Sequence, residues 1–284
     1  MYKIGASINS TIINEDLFRE VKSSGLSAIE ISHSSLDGYE NFDFNNVRKL
    51  SNVFGVELCS LHLPFLPFGE LDTSSLDHNI QKYTFDNFLE LIKKGSDIGI
   101  EKIIVHSSGE PIEDSKRKDR LDSATDFLSR LADEADKCGA IIAVEDLPRS
   151  CIGRNSEEIN YILSANDKLR VCFDTNHLLG EKITDFIKKL GNKIISTHIS
   201  DYDFVNERHW MPGEGDIDWF EVYNALKEVD YNGIWLYELD LKPPKSIIRR
   251  DMTYSDLYNN AIEIFNNKKP TPIGNRIENL GFWG

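Results

Sequence analysis

The stretch LRVCFDTNH, residues 169–177, decides how the rest of the chain is read. Its first part is apolar and rich in strand-forming residues, and it closes on Asp174 and, three residues later, His177. A strand buried in a core needs neither an acid nor an imidazole at its end. The weight of the pair therefore depends on how many other strands finish in the same way.

Working outward, short β-rich runs alternate with longer segments of helical period, as parallel strands joined by crossover helices do. The runs are KIGASI (3–8), AIEIS (28–32), VELCSLHL (56–63), KIIVHSS (102–108), IIAVEDL (141–147), LRVCFDT (169–175), IISTHIS (194–200) and IWLYELDL (234–241). Between them apolar residues recur at three and four, as at Leu121, Ala124, Leu128, Leu131 and Ala135, or Ile80, Thr84, Phe88, Leu91 and Ile98. Asn14 and Asp218 stand where helix caps are expected, and Gly25 and Gly139 follow helix ends, where a left-handed residue costs glycine little. Eight strand-helix pairs predict an α/β protein of one domain, a (β/α)₈ TIM barrel over 1–267 with a C-terminal tail at 268–284. An open doubly wound sheet is the alternative, but ASINSTI after the first strand has no GxGxxG and no Walker A sequence occurs. The tail, KKPTPIGNRIENLGFWG, is expected to cover a barrel face, dock on a partner subunit or lie in a surface groove.

Composition excludes several classes. Apolar residues make up 40% and charged residues 28%, the proportions of a soluble globular protein. No apolar run approaches the roughly 20 residues that span a bilayer, and MYKIGASINS lacks the features of a signal peptide, so a cytoplasmic location is expected. A net charge of −15 and a pI near 4.9 disfavour nucleic acid and anionic membranes as partners. Cys59, Cys138, Cys151 and Cys172 form no CxxC pair and read as free thiols. Two basic clusters, KRKDR (116–120) and KPPKSIIRR (242–250), could hold a substrate phosphate; solvated helix starts are the blander account.

Barrels of this kind carry their chemistry where the strands finish. Here the third strand ends at His62, the fourth at His106, the fifth at Glu145, the sixth at Asp174, the seventh at His198 and the eighth at Glu238. Singly, each reads as a structural histidine or a capping carboxylate. Together they converge on one mouth, where three carboxylates repel one another unless a cation sits among them. A mixed oxygen and imidazole set suits one divalent metal ion: Mn²⁺, Mg²⁺, Co²⁺, Fe²⁺ or Zn²⁺. Five of the seven histidines, at 62, 106, 177, 198 and 209, lie at strand ends or just after them; His33 and His78 have no such setting. Phe65, Phe68, Trp210 and Trp219 could line a sugar pocket or be simple packing.

The segments SLHLPF (60–65), VHSSG (105–109), VEDLP (144–148), FDTNH (173–177), THISD (197–201), RHWMPGEGDIDW (208–219) and LYEL (236–239) resemble, in order, those of the xylose isomerase-like barrels. That superfamily includes sugar isomerases, ketose 3-epimerases, inosose dehydratases and apurinic endonucleases. The resemblance implies that Glu145, Asp174, His198 and Glu238 are metal ligands and that His177 and Arg208 hold substrate oxygens, with His62 and His106 also facing the substrate. It implies that Pro212, Gly213 and Gly215 shape the pocket beside the seventh strand. Six residues after Glu145, where the epimerases carry a second glutamate, this chain has Cys151.

The implied activity is isomerisation or epimerisation of a small-molecule sugar or polyol, by removal of a proton next to a carbonyl and stabilisation of the enediolate by the metal. Glu145 and Glu238 are the expected acid-base pair. The rival expectation is an apurinic endonuclease with up to three Zn²⁺, for which His62, His106, His177 and His209 match ligand positions and Glu207 stands in place of an aspartate; a dehydratase of inososes is a further alternative. Charge opposes the nuclease. A catalytically silent protein of the same fold would not need so many ligand types at its strand ends. The sequence is compatible with a homo-oligomer.

Overall fold

The computed structural model describes residues 1–277 and 281–282. Eight parallel strands, β1 (Lys3–Asn9), β2 (Ala28–Ser32), β3 (Glu57–His62), β4 (Lys102–His106), β5 (Ile141–Glu145), β6 (Arg170–Asp174), β7 (Ile194–His198) and β8 (Ile234–Tyr237), form one sheet in the order β7-β6-β5-β4-β3-β2-β1-β8. The ring is closed between β7 and β8 by the bridge Ile199↔Tyr237, with Ile199 N donating to Leu236 O at 2.8 Å and Glu238 N to Ile199 O at 3.2 Å. This is the single-domain TIM barrel expected.

The helices are α1 (Glu15–Ser24), α2 (Asp37–Glu40), α3 (Phe44–Phe54), α4 (His78–Asp97), α5 (Arg117–Lys137), α6 (Ser156–Leu163), α7 (Ile183–Leu190), α8 (Trp219–Glu228) and α9 (Tyr254–Phe265). Asn14 and Asp218 do cap α1 and α8, accepting from Leu17 N and from Phe220 N and Glu221 N. Gly25 ends α1 at φ 96°, a conformation that a Cβ would strain. The main core lies between the strands and the helices, with Phe18, Phe127, Phe186 and Trp235 fully buried in it. Trp210 and Trp219 are likewise buried and belong to packing.

Strand periodicity explains how the mouth is built. Side chains two apart share a face, so Ile104 stands below His106, Ala143 below Glu145, Cys172 below Asp174 and Leu236 below Glu238. These small apolar residues fill the barrel interior and support the polar layer above. The first two strands match or exceed the runs read from sequence, but β3 to β8 are shorter: ladder pairing stops at or just before the ligand-type residue, and the next residues turn away as loop.

The arginines of both basic clusters, and Lys118, are engaged by protein partners. Arg117 pairs with Glu158, Lys118 with Asp122 and Arg120 with Asp72. Arg249 meets the carbonyls of Leu241 and Asp240, and Arg250 pairs with Asp256. The tail folds back over the mouth loops: β10 (Asn275–Arg276) pairs antiparallel with β9 (Ile247–Ile248), and Gly274 N donates to Glu214. Residues 278–280 and 283–284, included in the tail expectation, lie outside the described residues. The four cysteines are free thiols, and no described helix is long and apolar enough to cross a membrane.

Candidate metal and substrate site

The strand-end residues do meet. Glu145 is buried at the centre: its Oε2 lies 3.0 Å from His62 Nε2 and 3.3 Å from His106 Nε2, and its Oε1 lies 3.1 Å from His198 Nδ1. His198 Nδ1 is also 3.3 Å from Glu238 Oε2 and 3.9 Å from Asp174 Oδ2. Three carboxylates from three strands thus face one imidazole nitrogen. The four expected ligands divide between two overlapping groups whose donor atoms lie within 4.8 Å of one another. Glu145, His198 and Glu238 join with His62, while Asp174 joins with Glu145 and His177.

Backbone carbonyls orient most of these rings. His62 Nδ1 donates to Leu63 O at 2.8 Å and His177 Nδ1 to Asp146 O at 2.7 Å, and His209 Nδ1 faces Glu238 O at 3.2 Å. A carbonyl only accepts, so each Nδ1 carries its proton; Nε2 of His62 then faces Glu145, and Nε2 of His177 and His209 faces Glu207.

The protein's own groups set unusual protonation states. Burial pulls the His62 imidazolium down, but Glu145 and Glu30 outweigh it and hold the ring up at about 9. Burial likewise opposes the charge on His177 and His198, yet the surrounding carboxylates raise both well above the usual range. For His106 burial wins and the ring is lowered. Glu145 is held well below the carboxylate range, because His198 and His106 overcome its burial. Glu238 goes the other way, to about 7, through burial and through Glu145 and Asp174, only partly countered by His198.

The fit to a divalent ion is good on three counts. Ligands bonded at about 2.1 Å to one ion sit roughly 3.0–3.4 Å apart, the spacing seen around Glu145. Asp174 Oδ2 is buried without a hydrogen-bond partner, a costly state that a cation would relieve. Among the described residues, every ion-pair partner of Glu145, Asp174 and Glu238 is a histidine, and no lysine or arginine supplies the positive charge.

A second cluster lies beside the first. His177, Glu207 and His209 approach within 4.8 Å, with His209 Nε2 2.9 Å from Glu207 Oε1. Here a permanent cation is present: Arg149 bridges Glu207 at 2.6 Å and Glu110 at 3.0 Å. Arg149 and His209 both adopt left-handed backbone, at φ 53° and 50°, strain of a kind that collects at functional sites.

Two cavities open on this floor. One, of about 120 Å³, is walled by Phe65, Phe68, Leu147, Pro148 and Cys151. The other, of about 530 Å³, lies over β1, β2 and β8 with Ser7, Asn9, Ser32, His33 and Asp240; the two share Phe65, His209 and Glu238. Phe65 stacks on His106 at 4.3 Å. Burial, with Glu110 nearby, pushes the Cys151 thiol to about 12, so it is a neutral wall group.

Arg208 reaches the larger cavity, but its Nε is engaged by Asp203 and its Nη2 by Gly281 O, both at 3.0 Å. The Pro212–Gly215 turn does not line either cavity; it is held by Asp201, which accepts from Gly213 N. Sequence reading missed Glu30, fully buried on β2, and the Glu110–Arg149–Glu207 bridge. The acid inside the apolar run AIEIS was the signal for the first.

A family model described as xylose isomerase-like TIM barrel matches residues 18–256, and the chain belongs to that family. Among individual relatives, it is 24% identical over 254 residues to D-psicose 3-epimerase of Ruminiclostridium cellulolyticum, covering 84% of this chain and 82% of that protein. It is 21% identical to inosose dehydratase of Clostridium perfringens, over 75% of this chain and 82% of that protein. A solved D-tagatose 3-epimerase-like protein superposes with a TM-score of 0.79 at 23% identity, over 93% of this chain and 97% of that one.

Proposed function

We propose that this chain is a divalent-metal-dependent isomerase or epimerase of a sugar or related polyol. The observation that carries the reading is the meeting of Glu145, Asp174 and Glu238 around His198 Nδ1, with no lysine or arginine among the described residues paired to them. Glu145, Asp174, His198 and Glu238 would hold the ion, and it would act there as a Lewis acid toward the substrate carbonyl.

The chain's own groups supply the rest. Glu238 lies at the seam of both cavities and titrates near 7, which suits a carboxylate that takes a proton from carbon and returns it. Glu145, which shares His198 Nδ1 with Glu238 and is held ionised, is the second member of the pair. His62 presents Nε2 beside Glu145, and His177 presents Nε2 on the Glu207 side, where negative charge would develop on substrate oxygens. Phe65 and Phe68 exclude water from that side.

The relatives support a sugar substrate, since those matched include a ketose 3-epimerase and an inosose dehydratase. A second reading, a nuclease with several zinc ions, draws on the His177, Glu207 and His209 cluster. The charge of −15 and the Arg149 bridge across Glu207 weigh against it.

The test is incubation with Mn²⁺ and a panel of ketoses, aldoses and inososes in D₂O. Deuterium entering at a carbon next to the carbonyl of one member is the expected result. Absence of exchange across the panel, with cleavage of abasic DNA, would transfer the assignment to the nuclease.

A further inference from the structure

Glu30 sits in the middle of β2, fully buried inside the barrel and outside every group of candidate ligands. Its carboxylate is nonetheless saturated with donors. Ser7 Oγ from β1 donates to Oε1 at 2.8 Å, and Ser60 Oγ from β3 donates to Oε2 at 2.6 Å. His198 Nε2 from β7 lies 3.1 and 3.3 Å from the two oxygens.

His198 therefore differs from the other oriented histidines of the mouth. The outer nitrogens of His62 and His209 meet neutral backbone carbonyls. That of His198 meets a full negative charge, and its inner nitrogen, Nδ1, is the one facing Glu145, Asp174 and Glu238. An acid buried at this depth is costly unless bonded, and two serines alone could have been bridged by a neutral side chain.

We propose that Glu30 is a positioning residue for metal binding. It holds the proton of His198 on Nε2, locks the ring so that the Nδ1 lone pair points at the carboxylate cluster, and raises the basicity of that nitrogen by its charge. Ser7 and Ser60 fix the carboxylate in turn. The inference deepens the metal-site reading above and rests on it.

Glu30→Gln isolates the charge, because glutamine keeps the shape, its oxygen accepts from Nε2–H, and the serine hydroxyls can rotate to accept from its amide. The variant and the parent chain are stripped with chelator and titrated with Mn²⁺, free ion being read by electron paramagnetic resonance. Affinity is expected to fall about 10- to 100-fold, while the melting temperature of the stripped variant matches or exceeds that of the parent. In parallel, the parent labelled with ¹⁵N-histidine and loaded with Zn²⁺ should show the His198 ring proton on Nε2, the resonance being identified by its loss in His198→Asn.

A variant that folds and binds Mn²⁺ within twofold of the parent overturns the proposal, as does a ring proton found on Nδ1. If Glu30→Gln does not fold, the ring proton alone decides. A parent chain that takes up no divalent ion removes the metal-site reading itself, an outcome distinct from normal uptake by both proteins.

Discussion

Replacing Asp201 with asparagine should destabilise the protein severely, although the residue lines neither cavity of the mouth. Asp201 is fully buried just after β7. Its Oδ1 accepts from Tyr202 N at 2.9 Å and Ile217 N at 3.1 Å; its Oδ2 accepts from Gly213 N at 2.8 Å and Trp219 Nε1 at 2.9 Å. An amide has one oxygen and one NH₂, so whichever way it turns, two buried N–H donors face another donor. Each lost charge-assisted bond is worth about 1.5–3 kcal/mol, and with partial relaxation the sum is about 3–5 kcal/mol. That is a large part of a total stability of order 5–15 kcal/mol. The midpoint of thermal unfolding should drop by about 10 °C, and urea unfolding should show a lower midpoint at unchanged slope. The reasoning fails if the loss is under about 1 kcal/mol. Burial pushes the Asp201 carboxyl up against the pull of its four donors, and a neutral acid could be replaced by an amide at little cost.

Other expected outcomes bear on the same account. A methyl group at Gly215 would come 2.1 Å from Asp201 Oδ1 and 2.4 Å from Tyr202 O, so Gly215→Ala should cost about 2–4 kcal/mol by urea unfolding. Glu238→Gln should leave the fold intact but lower deuterium exchange into substrate at least about a hundredfold, measured with saturating Mn²⁺. Asp256, bonded by Arg250 and the Thr253 cap, is held at about 2, below its unfolded value near 3.9. Its stabilisation is present above pH ~4 and lost as pH falls through ~2. After solvent screening, Asp256→Asn should cost about 1 kcal/mol at pH 7, and roughly half of that difference should be gone at pH 3 in urea titrations.

How much of this was legible in the sequence depended on range. Asn14, Asp218 and Gly25 act within one turn of helix, and their roles follow from local chemistry. The strand-end acids and histidines were legible because the barrel topology carries every strand end to one rim. Glu30 escaped because attention to strand ends overlooks an inward residue two positions below the end, where alternation also points into the barrel. The Glu110–Arg149–Glu207 bridge joins three separate loops, and no spacing rule brings those together. Arg208, expected to hold substrate, is already engaged by Asp203 in its own loop and by Gly281, a contact that only the folded tail creates. The β9 and β10 pairing spans two residues a side, too short to carry any period.

The most direct measurement of the central claim is anomalous diffraction from crystals grown with Mn²⁺. The expected result is a strong peak bonded at about 2.0–2.3 Å to Glu145, Asp174, His198 and Glu238. Ordered density for those four side chains with no peak among them, at saturating Mn²⁺, would contradict it.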